Sequence, residues 1–147
     1  MARIVEDVTA PVPPAVAFTY VADFTNTRDW DPQITAARRV GEGPVGLGTA
    51  VEVDLRLGGR TVPMTYTITA YEPDVRVVLE TRGSWLRGRD AVTVLPGDGG
   101  GSVVTWDATF ALRGPLALLD PLLAVGFRRV AAAAVAGLGA ALRGLAA

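Results

Sequence analysis

The sequence predicts an α+β domain in which an antiparallel sheet packs against one long C-terminal helix. Two changes of period lead there. From Ile34 the apolar residues recur with a period near two for about eighty residues, the strand signature, and this stretch closes at Arg113-Gly114-Pro115. Beyond it Leu119, Leu123, Phe127, Val130, Ala134, Leu138 and Leu142 recur at spacings of three and four, one stripe of a helix. Ahead of both lie one short strand and two proline-flanked helical turns.

Ile4 to Val8 alternates weakly and ends at Thr9-Ala10-Pro11, a first strand. Pro13-Pro14 opens a helix to Ala22, because proline in a first turn lacks only an N–H that would have no partner there. Val16, Phe18, Tyr20 and Val21 are expected on its inner side. A second helical turn covers Asn26 to Trp30 and is stopped by Pro32. In Val51 to Leu57 the apolar residues take odd positions and the charges even ones, giving one buried and one wet face. Gly58-Gly59 forms a two-residue hairpin turn. The returning strand places Val62, Met64, Tyr66, Ile68 and Ala70 on one face and Thr61, Thr65, Thr67, Thr69 and Tyr71 on the other. Glu72-Pro73-Asp74 turns the chain into a strand over Val75 to Thr81.

Asp90 to Leu95 and Ser102 to Leu112 flank a Gly-rich turn, with Val92, Val94, Val104, Trp106, Ala108 and Phe110 inward. Asp90 shares their parity and is the one acidic residue whose register predicts an inward carboxylate. Asp120 is expected to cap the last helix, with Pro121 at its first position and its end near Leu145. Ala131 to Ala134, Gly137, Gly139 and Ala140 carry little bulk, so this helix either approaches the sheet closely or leaves a void beside it.

The 147 residues read as one domain, 1–147, with no repeat or linker. All 14 basic residues are Arg against 15 acidic residues, and Lys, His and Cys are absent. No disulfide, thiol nucleophile, imidazole base, Schiff base or P-loop lysine can form. Ser84 and Ser102 are the only serines, with no histidine to activate either. Near-neutral charge without a basic run argues against nucleic-acid binding. Met1-Ala2-Arg3 leads straight into Ile4-Val5-Glu6-Asp7, unlike a secretory segment, so a cytoplasmic location is expected. Asp120, Pro121, Arg128 and Arg129 interrupt the apolar C-terminal stretch, which is expected to be a buried helix and not a membrane span.

Several motifs carry a family resemblance: Pro14-Ala15-Val16-Ala17-Phe18, Val21-Ala22-Asp23-Phe24, Trp30-Asp31-Pro32, Val45-Gly46-Leu47-Gly48-Thr49, Tyr71-Glu72-Pro73, Val103-Val104-Thr105-Trp106 and Leu112-Arg113-Gly114. With the element order, they resemble the START-like helix-grip superfamily, also called SRPBCC or polyketide cyclase/dehydrase-like. The resemblance spans nearly the whole chain. It implies a curved seven-stranded sheet wrapped around the C-terminal helix and an apolar cavity holding a hydrophobic small molecule. Its members range from polyketide aromatase/cyclases to lipid carriers, so fold alone leaves chemistry open.

Within that cavity Asp90 is the acid/base candidate, since burial beside Val92 and Trp106 raises a carboxyl pKa. A structural ion pair with Arg82, Arg87 or Arg89 is the alternative. Tyr66 could donate to a ligand carbonyl or enolate or serve as plain core. In the Arg82, Arg87 and Arg89 group around Trp85 it is Arg82 that is expected to stabilise an enolate or anchor a carboxylate, although most such arginines are simply solvated. Trp30, Met64, Trp85, Val92, Trp106, Phe110, Leu123 and Phe127 are expected to line the ligand site, although the aromatic ones are equally explained as core. Gly41 to Gly46 matches G-x-G-x-x-G by letter, but Pro44 and a following strand deny it the required helix. Asp23, Asp29 and Asp31 are read as capping and turn residues and not as a metal site.

Two functions follow: a cofactor-independent, metal-free enzyme of polyketide cyclase or dehydratase type, or a carrier or sensor of a lipid-like ligand. A surface-acting co-chaperone is a third, opposed by the lack of a long charge patch. The Arg-, Ala- and Gly-rich composition is that of a GC-rich bacterial genome, and a monomer or homodimer is expected.

Overall fold

The computed structural model describes residues 2–57, 59–83 and 85–146. Ser84, half of the expected Gly58-Gly59 turn and the Leu123 side chain lie outside what is described. In chain order the elements are β1 (Ala2–Ala10), α1 (Pro14–Ala22), a 3-10 turn (Phe24–Asn26), α2 (Thr27–Trp30), β2 (Ile34–Val40), β3 (Ala50–Leu57), β4 (Arg60–Glu72), β5 (Arg76–Arg82), β6 (Leu86–Pro96), β7 (Ser102–Leu112), a 3-10 segment (Gly114–Leu119) and α3 (Asp120–Gly144).

The seven strands form one sheet in the order β1-β7-β6-β5-β4-β3-β2, with every neighbouring pair antiparallel. Strands β2 to β7 follow one another as a meander. Strand β1 closes against β7, so α1 and α2 must carry the chain from one edge of the sheet to the other. Along the way α1 packs on β6 and β7, and α3 packs on β1 and α2. This is the helix-grip arrangement the sequence predicts.

Local departures from the expected pattern have identifiable causes. Helix α1 buries Ala17, Phe18, Val21 and Ala22, while Val16 is 43% exposed. The buried set follows i, i+1, i+4, i+5, one helical face, whereas Val16 lies on the other. Tyr71 does not face outward with the threonines. The β4–β5 register shifts between Ile68 and Ala70, a bulge that reverses the parity beyond it, and Tyr71 meets Phe18 edge-on at 5.4 Å. Strand β6 begins at Leu86, since Gly88 hides the alternation of Arg87 and Arg89 with the buried positions. Asp120 opens α3 without capping it; its Oδ1 accepts the Leu112 backbone N–H at 2.9 Å and ties the helix start to the end of β7.

The G-x-G-x-x-G stretch lies in the loop between β2 and β3, with its Gly41 and Gly43 at positive φ. A strand follows it, so no helix N-terminus faces a phosphate there.

The two halves of α3 do different work. Leu138 and Leu142 are 1% and 0% exposed and join Phe18, Val104 and the sheet core. Gly137 sits where a Cβ would strike the Trp30 carbonyl oxygen, so the absence of a side chain is what lets α3 close on α2. Toward the N-terminal end, Gly126, Ala131 and Ala134 border the same open space as Ala108. Both outcomes expected of the small residues therefore occur, at different turns of one helix. The segment Ala124–Gly144 is long and apolar enough to cross a membrane despite the interruptions by Arg128 and Arg129. Its packing against β1 and α2 makes it a core helix. Leu138→Ala should cost about 2–5 kcal/mol in denaturant unfolding, the usual loss for a large residue removed from a packed site.

Candidate functional site

Between the concave face of the sheet and the first half of α3 lies a cavity of about 500 Å³. Its apolar walls come from Ile34 and Leu55 at one side, Ala108 and Phe110 on β7, and Phe127, Val130 and Ala134 on α3. Phe110 and Phe127 meet edge-to-face at 5.1 Å, a contact between sheet and helix. Exposed Leu119 and Leu122 reach the same space from the start of α3 and mark its rim. A volume of this size accommodates a drug-sized molecule.

One wall is aromatic. Trp30 meets Trp106 edge-on at 4.9 Å, Phe24 stacks at 6.4 Å from Trp106 and lies tilted at 4.8 Å from Tyr66, and all four rings line the cavity. Phe24 and Trp30 are delivered by the short helical segments between β1 and β2. Asp23 stabilises that delivery, accepting the Thr25 N–H at 3.1 Å and its hydroxyl at 2.6 Å.

Asp90 sits in this wall on β6, 6% exposed, paired across the sheet with Ala108 and Leu79. The Trp106 indole donates to its carboxylate, but Oδ1 has no hydrogen-bond partner. Burial, reinforced by the charge of Asp31, pushes its pKa up to about 7, and the Trp106 hydrogen bond opposes that rise. The ion pair considered for it is not made. Arg87 and Arg89 occupy the alternate, exposed positions of β6, and Arg82 the exposed face of β5. Tyr66 is 4% exposed in the same cavity; burial, with Asp90 and Asp31 nearby, holds its hydroxyl protonated far past the ordinary range.

Asp31 was legible only as a turn residue, and it is one: its Oδ1 accepts the Gln33 N–H at 2.9 Å. It also lines the cavity, and burial raises its pKa. The carboxylate entered the site through a tertiary contact, the packing of α2 across the sheet, which local pattern does not encode. Phe24, Thr27, Gln33 and Leu86 were missed for the same reason.

Of the residues expected at the site, Asp90, Tyr66, Trp30, Trp85, Trp106, Phe110 and Phe127 line the cavity. Three do not. Arg82 is exposed because Thr81 takes the inward position, and it borders a separate hollow of about 220 Å³ together with Met64. Val92 is fully buried between its cross-strand neighbours Val77 and Trp106, as core and not as wall. Arg56 and Glu6, both exposed, are the other charged residues at the cavity, so its interior holds carboxylates without a buried cation among the described residues.

This architecture recurs in solved structures. A START superfamily protein from Mycobacterium smegmatis superposes with a TM-score of 0.79 at 10% identity, covering 97% of each chain. The Zhui aromatase/cyclase from Streptomyces sp. R1128 gives 0.78 at 13%, covering 95% of this chain and 92% of that one. A protein from Thermus thermophilus gives 0.75 at 17%, covering 96% and 95%. At such identities the likeness is one of fold. No curated protein matches the sequence. The model of the family described as polyketide cyclase / dehydrase and lipid transport matches residues 1–147, and the chain belongs to that family.

Proposed function

We propose that this protein binds an apolar small molecule in the cavity and acts on it as a polyketide cyclase- or dehydratase-like enzyme without a cofactor. The observation that carries the reading is Asp90, a buried carboxylate with an unpartnered oxygen at the polar end of a mainly apolar cavity and a pKa near neutrality. A group so poised exists in both protonation states. Ionised, it takes a proton from a carbon beside a carbonyl; neutral, it returns one to a hydroxyl leaving as water. Tyr66, protonated throughout, donates to the carbonyl oxygen on which charge develops. The walls hold a flexible substrate folded, which supplies much of the acceleration. Arg82, outside the cavity, has no part. The Arg-, Ala- and Gly-rich composition supports a bacterial, biosynthetic setting.

Native mass spectrometry of freshly purified protein, followed by denaturing extraction, tests this. A co-purified poly-carbonyl compound supports the enzyme, whereas an unreactive lipid or quinone supports a carrier, the alternative that the lipid transport members of the family bring. In either case Ala134→Phe should fill the cavity and weaken uptake of the neutral dye Nile red by roughly tenfold or more, a loss equivalent to about 1.4 kcal/mol. Unchanged uptake would place the dye elsewhere.

A further inference from the structure

The cavity has an apolar body and a polar end of one sign. At that end Asp90 presents a free Oδ1, Asp31 lines the same space with one oxygen engaged by Gln33, and Phe24, Trp30, Tyr66 and Trp106 stand around them. No buried arginine answers these carboxylates among the described residues, and lysine and histidine are absent from the chain. Arg56 and Glu6, the other charges at the cavity, are both exposed.

We propose that the cavity selects an amphipathic amine, its protonated nitrogen held between Asp31 and Asp90 against the aromatic wall and its apolar part lying along α3. This rests on the ligand-binding half of the reading above and names the chemical class of the substrate or cargo. Three physical reasons favour an ammonium head. A neutral hydroxyl has one proton to donate and relieves one oxygen, whereas a primary ammonium has three and reaches both carboxylates. Charge-assisted hydrogen bonds are about twice as strong as neutral ones. Electron-rich rings attract a cation most when it is desolvated, as here. A carboxylate-headed ligand such as a fatty acid meets like charge with no buried cation to receive it.

Competition against Nile red with decylamine, decanol and decanoate, at about pH 8 where the amine is protonated and Asp90, with its pKa of about 7, is mostly ionised, separates the possibilities. Decylamine should displace the dye at concentrations roughly tenfold or more below decanol, with decanoate weakest. Asp90→Asn and Asp31→Asn should each collapse the ratio of decylamine to decanol affinity. Equal competition by decanol, stronger competition by decanoate, or a ratio unchanged in both variants overturns the amine proposal while leaving apolar ligand binding intact. Failure of Nile red itself to bind overturns both.

Discussion

Between about pH 4 and pH 8, Asp90→Asn should gain stability relative to the wild-type protein by on the order of 4 kcal/mol. The sign follows from proton counting. The native Asp90 carboxyl holds its proton up to about 7, while the unfolded chain releases it near 3.8. Across that window the native state binds more protons, so wild-type stability falls as pH rises and levels off above 7. Asparagine is neutral throughout and still accepts from the Trp106 indole. The difference between the two unfolding curves isolates Asp90 from Asp107 and Asp120, whose pKa values are held down chiefly by Arg3 and by the Leu112 N–H, which the substitution leaves in place. Urea denaturation at several pH values reads it directly, and a difference independent of pH would mean that the carboxylate is hydrated. On the enzyme reading the same substitution should cost about 10²–10⁴ in turnover, the range for a lost general acid or base. A variant that is more stable and inactive is the signature of a carboxylate kept buried for its chemistry.

Gly137→Ala should destabilise the fold by about 3 kcal/mol, the upper range for forced overpacking. The added Cβ meets the Trp30 carbonyl, a backbone atom that cannot rotate aside. Helix α3 or α2 has to move, and Trp30 with its partner Trp106 moves too, so dye binding should weaken together with the melting temperature. Gly126→Ala offers the control: the same change on the same helix meets nothing within 4 Å and should be neutral or slightly stabilising through helix propensity. Equal behaviour of the two variants would remove the close approach from the account.

These positions show what the sequence makes legible. Alternation around Asp54, Arg56 and Glu52 specified β3 and its faces, because a half-buried strand must alternate. Parity placed Asp90 inward and, through Thr81, puts Arg82 outward once β5 and β6 are paired in register. The β4 bulge was hidden, since an extra residue leaves no mark in a run of threonines, and Tyr71 changed faces with it. Asp31 shows a different limit. Its turn hydrogen bond is local and follows from Asp-Pro-Gln, but its place beside the cavity depends on where α2 docks, and that is set by Gly137, about a hundred residues away. Small residues in α3 announced that packing would be unusual without saying where helix and sheet would touch and where they would part.

Titration of the aspartate carboxyl resonances by ¹³C NMR tests the central claim most directly. One resonance should turn over at about 7, disappear in Asp90→Asn and move to lower pH in Asp31→Asn, because the charge of Asp31 contributes to the rise. An Asp90 midpoint near the ordinary 3.8 would contradict the account, since it would mean that water or a cation already satisfies the carboxylate at the heart of the cavity.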